Sequence, residues 1–436
     1  MPRSLYTSSA TKFRNNTRPT VIDLYSGAGG TGLAFSKAGF RILGAVEINR
    51  NAALTYEKNL GVKVRQIDIR NLSPTDFRKS LKLKRRQLDV LVGCPPCQGF
   101  SRLRNRNRDG KDDARNDLVI RYLEYVSEFM PKYALFENVP GLIHTGLGRE
   151  FYNKLRAGLI DLGYSLVEKE EEAADYGVPQ RRRRVILIAG RDGKRPPFPK
   201  PTHGHPTSLE VIKGQRQPWR TVREAIGGKY PKLRAGENGE KGSLYPNHKA
   251  PMTGERVLGF ISKLPMNGGS RNEVPKRFWL RCHVSHNGHM DVYSRVSWDA
   301  PANTITCGCT NPSKGRFVHP EQNRALTPRE AAALQGFPDT FVFYGGEASV
   351  QVGNAVPPPL AYAIAKAIRV RIQRAIIRKY PRRKPLPRRV RVSKGVTNFE
   401  DRSPRQCRTY LPSNRPLRRT GLRFARCVRL FCQVTV

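Results

Sequence analysis

The chain has 436 residues, of which 38% are hydrophobic, and its 79 Lys and Arg against 35 Asp and Glu produce a formal net charge of +44. This length and apolar content allow two or three globular domains, and a charge excess of this size argues against a substrate that is small and neutral and favours a polyanion such as nucleic acid. No apolar run reaches the roughly 18 residues of a membrane span, and the N-terminus lacks the apolar core of a secretory signal, so we expect an intracellular protein without a membrane partner.

In chain order, the predicted elements begin after a basic arm at residues 1–19. The arm resembles an organelle presequence only weakly, and we expect it to be disordered. Hydrophobic periodicity predicts strands at 20–25, 41–46, 63–67, 88–92, 133–136 and 184–189, and helices at 33–38, 52–58 and 118–130. This alternation predicts an α/β fold with a doubly wound, mostly parallel sheet.

The composition changes after the last of these strands. Pro, Gly, Lys and Arg dominate up to about residue 325, which indicates a second, smaller domain, whereas Thr327 and Glu330 then fit a capping box and a helix is predicted at 359–374. From residue 371 onward there are 20 basic and 2 acidic residues, a composition typical of a disordered tail. The predicted divisions are therefore 1–19, 20–190, 191–325, 326–370 and 371–436.

A glycine-rich turn follows the first predicted strand. Gly27, Gly29 and Gly32 form a GxGxxG pattern, and Glu47 ends the second strand 20 positions after Gly27. Glycines let the backbone approach a ligand closely, and a carboxylate at that strand end can accept hydrogen bonds from a ribose diol. The pattern therefore indicates a nucleoside-containing ligand and fits NAD as well as another adenosine cofactor. Asp68, at the third strand end, suits either an adenine amino group or ordinary capping of a loop.

A cysteine motif follows the strand at 88–92. It runs from Gly93 to Cys97 as Gly-Cys-Pro-Pro-Cys, at the sheet edge where this class of fold has its active sites. The prolines stiffen the approach to Cys97 and neighbouring arginines favour its thiolate, so Cys97 is a candidate nucleophile. No second CxxC occurs at the spacing of a zinc finger, which excludes that kind of site. No histidine precedes His144, which excludes the zinc-deaminase signature. We therefore expect no metal. The eight irregularly spaced cysteines are expected to be reduced.

Two further segments carry charged side chains at strand ends. Glu137 and Asn138 follow one apolar run, and Arg182 and Arg184 precede another. Because the ends of parallel strands meet at one edge, Glu137 can share a pocket with Cys97, and alternating positions direct the two arginines to one face. Taken alone, the Glu-Asn pair is also typical of a strand-end turn, and the arginine run of a solvated surface.

In this order the segments resemble the motifs of the DNA cytosine-C5 methyltransferase family. The resemblance covers residues 20 to about 366, with Tyr25 where the family commonly has Phe. The matching segments are 23–30, 96–98, 137–139, 180–184, 324–338 and 351–356. The resemblance implies a Rossmann-like S-adenosylmethionine-dependent methyltransferase fold, with 191–325 as target recognition domain, in a restriction-modification, orphan or phage enzyme acting in the cytoplasm or nucleoid of a prokaryotic cell.

The resemblance also implies roles for individual residues. The base would be served by Cys97, Glu137, Arg182 and Arg184. S-adenosylmethionine would be surrounded by Asp23, Tyr25, Gly27, Gly29, Gly30, Gly32, Glu47, Ile48, Asp68, Ile69, Pro96 and Asn354. Substrate DNA would contact Gln98, Ser101, Asn138 and Gln180. The thiolate would add to C6 of a cytosine flipped out of the duplex, and the segment from Ser101 to Asn116 would close over it.

Three alternatives stay open at this point. A tRNA methyltransferase of the same family would share nearly all of these motifs, although the size of 191–325 favours DNA. A NAD-dependent oxidoreductase would explain the glycine turn and Glu47 but leaves Cys97 and Glu137 without roles. A nucleic-acid-binding protein with this fold and no catalysis is the third. The expected partners are double-stranded DNA and a restriction endonuclease that acts on the same sequence.

Overall fold

The computed structural model describes residues 18–96, 117–241, 244–284 and 291–379, and a seven-stranded sheet lies at the centre of the fold. Its strands are β1 (Thr20–Leu24), β2 (Arg41–Glu47), β3 (Val64–Gln66), β4 (Val90–Gly93), β5 (Tyr133–Asn138), β6 (Ser165–Glu172) and β7 (Arg183–Gly190). Their order is β3-β2-β1-β4-β5-β7-β6. Strands β1 to β5 pair in parallel, and β7 runs antiparallel to both of its neighbours. The predicted mostly parallel sheet is confirmed.

The central strands β1, β4, β5 and β7 are largely apolar because the sheet is covered on both faces. Along β4 and β5, Leu91 and Phe136 enter one buried cluster together with helix α4 (Leu118–Phe129), whereas Val90 and Leu135 enter another together with helix α13 (Pro358–Lys379). Successive side chains of a strand point to opposite faces, so this division follows from the strand period of two. Helices on both faces make the sheet doubly wound, as the sequence predicts.

Among the described residues, six α-helices connect the strands of the sheet. They are α1 (Gly30–Lys37), α2 (Arg50–Leu60), α3 (Pro74–Ser80), α4 (Leu118–Phe129), α5 (Gly141–His144) and α6 (Gly146–Asp161). Local signals set their ends: the Asn49 side chain accepts a hydrogen bond from the Ala52 backbone at 2.9 Å at the start of α2, and Gly61 ends that helix in the left-handed region. Helix α1 begins at Gly30 instead of the predicted residue 33, because the last glycines of the turn form its first turn.

The strand order reverses at β1 and β4, which are neighbours in the sheet. The chain winds outward from β1 through β2 to β3 on one side and from β4 to β5 on the other. In such sheets the carboxyl ends of the strands at the reversal leave a crevice, and ligands bind there. The glycine turn after β1 and the cysteine motif after β4 therefore meet at the ligand-binding edge of the sheet.

Residues 191–325 contain only short elements among the residues that the structure describes. They are β8 (His203–Gly204), α7 (Leu209–Ile212), β9 (Gln217–Pro218), α8 (Val222–Ile226), α9 (Glu255–Ile261) and α10 (Arg281–Val284). Buried arginines satisfy much of the irregular backbone. Arg295 is 0% exposed and donates to the carbonyls of Ile261, His319 and Gln322 at 2.9–3.1 Å. These side-chain hydrogen bonds take the place of the backbone hydrogen bonds that helices and strands would supply.

Three helices follow this region: α11 (Pro328–Leu334), α12 (Ala348–Asn354) and α13 (Pro358–Lys379). The predicted capping box at α11 is confirmed. The Thr327 hydroxyl accepts a hydrogen bond from the Glu330 backbone at 3.1 Å, and the Glu330 carboxylate accepts one from the Thr327 backbone at 2.8 Å. Because Pro328 has no N–H, the capping box satisfies two of the three orphan N–H groups at this helix start.

Helix α13 is longer than the sequence predicts. Its buried face carries Leu360, Ile364, Ile368 and Ile372 at four-residue spacing, and Arg369 donates to the end of α1. Residues 371–379, which the basic composition assigns to a disordered tail, continue this helix, and the buried Ile372 extends its apolar stripe. Among the described residues no helix has the length and hydropathy that crossing a membrane requires. Residues 1–17, the segment from Ser101 to Asn116 and the rest of the tail lie outside the described residues.

A buried ion pair stabilises the start of α11, and we predict a large loss of stability when it is broken. The Arg324 guanidinium donates to the two carboxylate oxygens of Glu330 at 2.7 and 2.8 Å, and the side chains are 0% and 2% exposed. Burial raises the pKa of Glu330, but the hydrogen bonds and charge of Arg324 outweigh it and lower the pKa to about 2. We expect Glu330→Gln to lower the free energy of unfolding in urea by about 3–5 kcal/mol, because it strands a buried guanidinium.

The matched control is Glu150→Gln, which breaks an exposed pair with Lys154 and is expected to leave the unfolding curve at its wild-type position. The pKa of Glu330 is lower in the folded state than its ordinary value of 4.5. Its carboxylate therefore stabilises the fold fully above about pH 4.5 and loses this effect as the pH falls towards 2. Equal unfolding midpoints for Glu330→Gln and the wild type at pH 7 would show that the pair contributes nothing.

Candidate active site

The glycines of the turn after β1 fall into two groups. A Cβ on Gly32 would lie 2.4 Å from the Tyr56 hydroxyl, one on Gly29 would lie 3.0 Å from the same ring, and one on Gly30 would lie 2.4 Å from the backbone that follows α12. These three permit close packing of α1. At Gly27, where φ is +53°, a Cβ would meet no described atom within 4 Å. Gly27 is therefore the glycine whose open side leaves room for a ligand.

Two carboxylates lie at this turn. Glu47 accepts hydrogen bonds from the backbone N–H groups of Gly27 and Asn49, each at 2.8 Å, and burial raises the pKa of Glu47. Asp23, on β1 beneath the turn, is 2% exposed, and burial raises its pKa well above the ordinary value despite a hydrogen bond from Tyr56. Asp23 Oδ1 has no hydrogen-bond partner within the described ranges. Buried acceptors are normally paired, so a donor from a ligand would complete this one.

Tyr25 stands where β1 enters the turn. Its φ of +55° lies in the left-handed region that side chains other than glycine seldom adopt, and its hydroxyl donates to the carbonyl of Leu118 at 2.8 Å. This bond anchors the ring to the first residue of α4, a contact that a phenylalanine at this position would lack. Ile48, directly after Glu47, is 62% exposed and presents an apolar surface beside the turn.

At the end of the third strand, Asp68 is hydrogen-bonded within its own loop. Asp68 accepts a hydrogen bond from the Arg70 backbone at 2.9 Å and pairs with the Arg70 guanidinium at 2.5 Å, and these hydrogen bonds lower the pKa of Asp68. Ile69 is 5% exposed and lies in the core cluster of the sheet. The structure thus shows Asp68 in the loop-capping role that the sequence left as an alternative, and its contact with adenine stays a prediction.

The cysteine motif is described only as far as Pro96, which is half-buried after the buried Pro95. Cys97, Gln98 and Ser101 lie outside the described residues. Cys94, which the sequence reasoning left without a role, lies near Glu137 and Thr31, and burial raises its pKa well above the ordinary value. Cys94 is therefore a neutral thiol, unlike the thiolate that a nucleophile must supply.

A carboxylate and an arginine meet at the carboxyl edge of the sheet. Glu137, on β5, is 8% exposed, and its Oε1 lies 2.9 Å from Nε of Arg184 on the neighbouring strand β7. The adjacent Asn138 is 2% exposed and donates to the carbonyl of Pro95 at 3.2 Å. Asn138 thus ties the end of β5 to the loop that leads to Cys97. In this structure it serves the protein interior, in contrast to the DNA contact expected from the sequence.

Two residues of the arginine-rich segment also have interior roles. Arg182 is 4% exposed and donates to the carbonyls of Ile305 at 2.9 Å and Gly353 at 3.0 Å. Gln180 is 0% exposed, accepts from the Ile305 backbone at 2.8 Å and donates to the side chain of Gln335. The structure therefore brings Arg184, and not Arg182, to Glu137 as an ion pair. The Gln180 side chain is fully enclosed by protein, and its contact with DNA stays a prediction.

Two residues that the sequence reasoning did not single out support the site. Tyr56 fills the space that Gly29 and Gly32 leave beside α1. Gln335 donates to the carbonyls of Val352 and Ala355 at 3.0 and 2.8 Å and so braces the end of α12. Tyr56 could have been found from the sequence, because a large residue on the next helix is expected to pack against a helix face that carries glycines. Gln335 had none beyond its place in a motif.

Asn354, the last residue of α12, is exposed, and its Oδ1 accepts a hydrogen bond from the thiol of Cys307 at 3.0 Å. Within the described ranges no group of three or more His, Cys, Asp or Glu side chains is arranged to hold a metal ion. The chemical groups at this edge are thus carboxylates, an arginine, an amide and a backbone turn. Such groups bind a nucleoside cofactor and a heterocyclic base by hydrogen bonds.

Comparison with known proteins identifies the chemistry that this edge serves. A family model for C-5 cytosine-specific DNA methylases matches residues 19–370. The chain is 40% identical over 356 residues to the Type II methyltransferase M1.HphI of Haemophilus parahaemolyticus, covering 80% of this chain and 86% of that protein. It is 32% identical over 432 residues to the Type II methyltransferase M.AgeI of Thalassovita gelatinovora, covering 81% and 99%.

Solved structures agree with this comparison. A protein described as a DNA modification methyltransferase encoded within an E. coli prophage matches with a TM-score of 0.60 and 25% identity, over 81% of this chain and 99% of that one. The family match spans the whole sheet, the glycine turn and the Glu137–Arg184 pair. The chain therefore belongs to the C-5 cytosine-specific DNA methylase family, and it is an enzyme that methylates cytosine in DNA.

Proposed function

We propose that the enzyme methylates C5 of a cytosine flipped out of duplex DNA, with S-adenosylmethionine as methyl donor and Cys97 as nucleophile. The observation that carries this proposal is the buried pair of Glu137 and Arg184, 2.9 Å apart at the carboxyl edge of the sheet. Asn138 connects that pair to the loop before Cys97 through its bond to Pro95. A nucleophile delivered by this loop would reach a base held by the pair.

The proposed chemistry answers the low nucleophilicity of C5 in an aromatic ring. The Cys97 thiolate would add to C6, and the π electron pair of the C5–C6 double bond would move to C5, which would take the methyl group as the methyl–sulfur bond breaks and leaves its electron pair on the sulfur of S-adenosylhomocysteine. Loss of the C5 proton returns an electron pair to the ring and expels the thiolate. Glu137 hydrogen-bonds N3 and the exocyclic amino group and favours the addition. Arg184 uses Nε for Glu137, and its remaining N–H groups can stabilise charge on the base carbonyl oxygen.

The residues at the glycine turn fit S-adenosylmethionine, which supplies a methyl group on an electrophilic sulfonium. Gly27 leaves open space, Glu47 lies where a ribose diol would be bound, and Asp23 Oδ1 offers an unpaired acceptor. Tyr25 and Ile48 present ring and aliphatic surface for the adenine. We assign Arg182 to bracing this edge and Arg184 to the base, because the Arg182 guanidinium is bonded to two backbone carbonyls.

The relatives named above are Type II methyltransferases, and we propose the same setting for this chain. It would methylate one short sequence in duplex DNA inside a prokaryotic cell and protect that sequence from a restriction endonuclease. Residues 191–325 would read base edges in the major groove. The net charge of +44 would add contacts to phosphates without regard to sequence, so affinity for DNA should fall steeply as salt rises.

Methyl transfer from labelled S-adenosylmethionine to duplex DNA and, separately, to tRNA tests this proposal. We expect label in DNA and none in tRNA. Bisulfite sequencing of the product should then show protected cytosines in one short sequence context. Label in tRNA alone would support the related RNA enzyme, and absence of label in every substrate together with binding of NAD would support an oxidoreductase.

A further inference from the structure

The end of α12 packs closely against the segment at residues 305–307. A Cβ on Gly353 would lie 2.2 Å from the backbone nitrogen of Cys307, so the two backbones are in direct contact. The Arg182 guanidinium bonds to both sides of this contact, to Ile305 at 2.9 Å and to Gly353 at 3.0 Å. The backbone of Asn354, the next residue, therefore has little freedom relative to Cys307.

The same end of α12 lies against the glycine turn. A Cβ on Gly30 would lie 2.4 Å from the carbonyl oxygen of Val356, two residues after Asn354. Asn354 is exposed although its neighbours Gly353 and Ala355 are buried. Its side chain is thus the group that this part of the chain presents to solvent beside the proposed cofactor pocket.

The orientation of the Asn354 amide is set by a thiol. Cys307 Sγ donates to Asn354 Oδ1 at 3.0 Å. A carboxamide has an acceptor oxygen on one side and an NH2 donor on the other. With the oxygen turned to Cys307, the NH2 group points away from the thiol.

We infer that Cys307 is a positioning residue for cofactor binding, which makes Asn354 present its NH2 group to an acceptor of the cofactor. This inference rests on the proposed function and on the family resemblance, which implies that Asn354 contacts S-adenosylmethionine. The acceptor that fits such a donor is the carboxylate of the methionine part, because a charged acceptor makes the stronger hydrogen bond. Without the thiol, the amide can rotate and offer its oxygen, which repels a carboxylate.

Calorimetric binding of S-adenosylhomocysteine, which carries the same carboxylate and needs no turnover, tests the inference. We expect Cys307→Ala to weaken binding by about 2- to 10-fold, the worth of one neutral hydrogen bond. Cys307→Ser keeps a donor and should bind within about 2-fold of the wild type. In the Asn354→Ala background, Cys307→Ala should have no further effect, because its role is exercised through the amide.

Three outcomes would overturn the inference. Equal weakening of binding by Cys307→Ala and Cys307→Ser would show that the thiol packs and does not donate. Additive losses from Cys307→Ala and Asn354→Ala in the double variant are the second such outcome, and weaker binding in Asn354→Ala with wild-type binding in Cys307→Ala is the third. By contrast, absence of S-adenosylhomocysteine binding to the wild type would overturn the proposed cofactor itself. Urea unfolding of each variant shows whether the fold is retained.

Discussion

Cys97→Ser is expected to reduce methyl transfer to DNA on the order of 10³-fold or more, the range found when an enzymatic nucleophile is removed. The thiolate is the reactive form, and a serine hydroxyl does not ionise at neutral pH and so does not add to C6. Binding of S-adenosylhomocysteine should stay at the wild-type value, because the proposed cofactor pocket lies at the glycine turn. Initial rates with labelled S-adenosylmethionine and duplex DNA measure the loss.

The control for this substitution is Cys309→Ala. Cys309 is fully buried, and burial raises its pKa to about 12, so it is a thiol without a role in the proposed chemistry. This variant should transfer methyl groups at the wild-type rate. Equal rates for Cys97→Ser and the wild type would eliminate the covalent mechanism.

Glu137→Gln should slow methyl transfer by about 10²- to 10⁴-fold, the usual contribution of a positioned acid or base. The amide no longer favours protonation at N3, and it leaves the Arg184 guanidinium, 2.9 Å away and 11% exposed, without its counter-ion. The affinity for S-adenosylhomocysteine should persist. Rates at saturating cofactor measure the loss of methyl transfer, and calorimetry measures the affinity for S-adenosylhomocysteine.

Glu168→Gln is the matched control for Glu137→Gln. Glu168 is also paired with an arginine at 2.9 Å, Arg156, but it lies on the edge strand β6 and is 37% exposed. We expect the Glu168→Gln variant to transfer methyl groups at the wild-type rate. If Glu137→Gln instead lost cofactor affinity and kept its rate at high cofactor concentration, the division of roles between the turn and the base pocket would be wrong.

The central sheet could be predicted from the sequence because its strands are short apolar runs separated by helices, and such alternation has few topological solutions. The strand β6 could not be predicted in the same way. It is an edge strand that contains four glutamates and one lysine, and Val167 is its one buried apolar residue. Its pairing with β7 over eight residues is a tertiary property that no local pattern reveals.

The candidate site was predicted in part. Glu137 and Arg184 meet because β7 runs antiparallel to β5, which brings the start of β7 beside the carboxyl end of β5. Arg182 shares the sequence pattern of Arg184, but distant backbone at Ile305 and Gly353 covers it. Asn138 is likewise enclosed. Periodicity places two side chains on one face, but which of them is covered depends on segments more than a hundred residues away.

The proposed mechanism depends most on a bond between the sulfur of Cys97 and C6 of the target cytosine. Duplex DNA that carries 5-fluorocytosine at the methylated position tests this bond directly, since fluorine at C5 leaves no proton to lose and the thiolate cannot be expelled. With S-adenosylmethionine present, we predict a stable protein–DNA adduct, and mass spectrometry of its peptides should find the modified base on Cys97. Methylation of normal DNA combined with no adduct on the fluorinated duplex, or an adduct on another residue, would contradict the account.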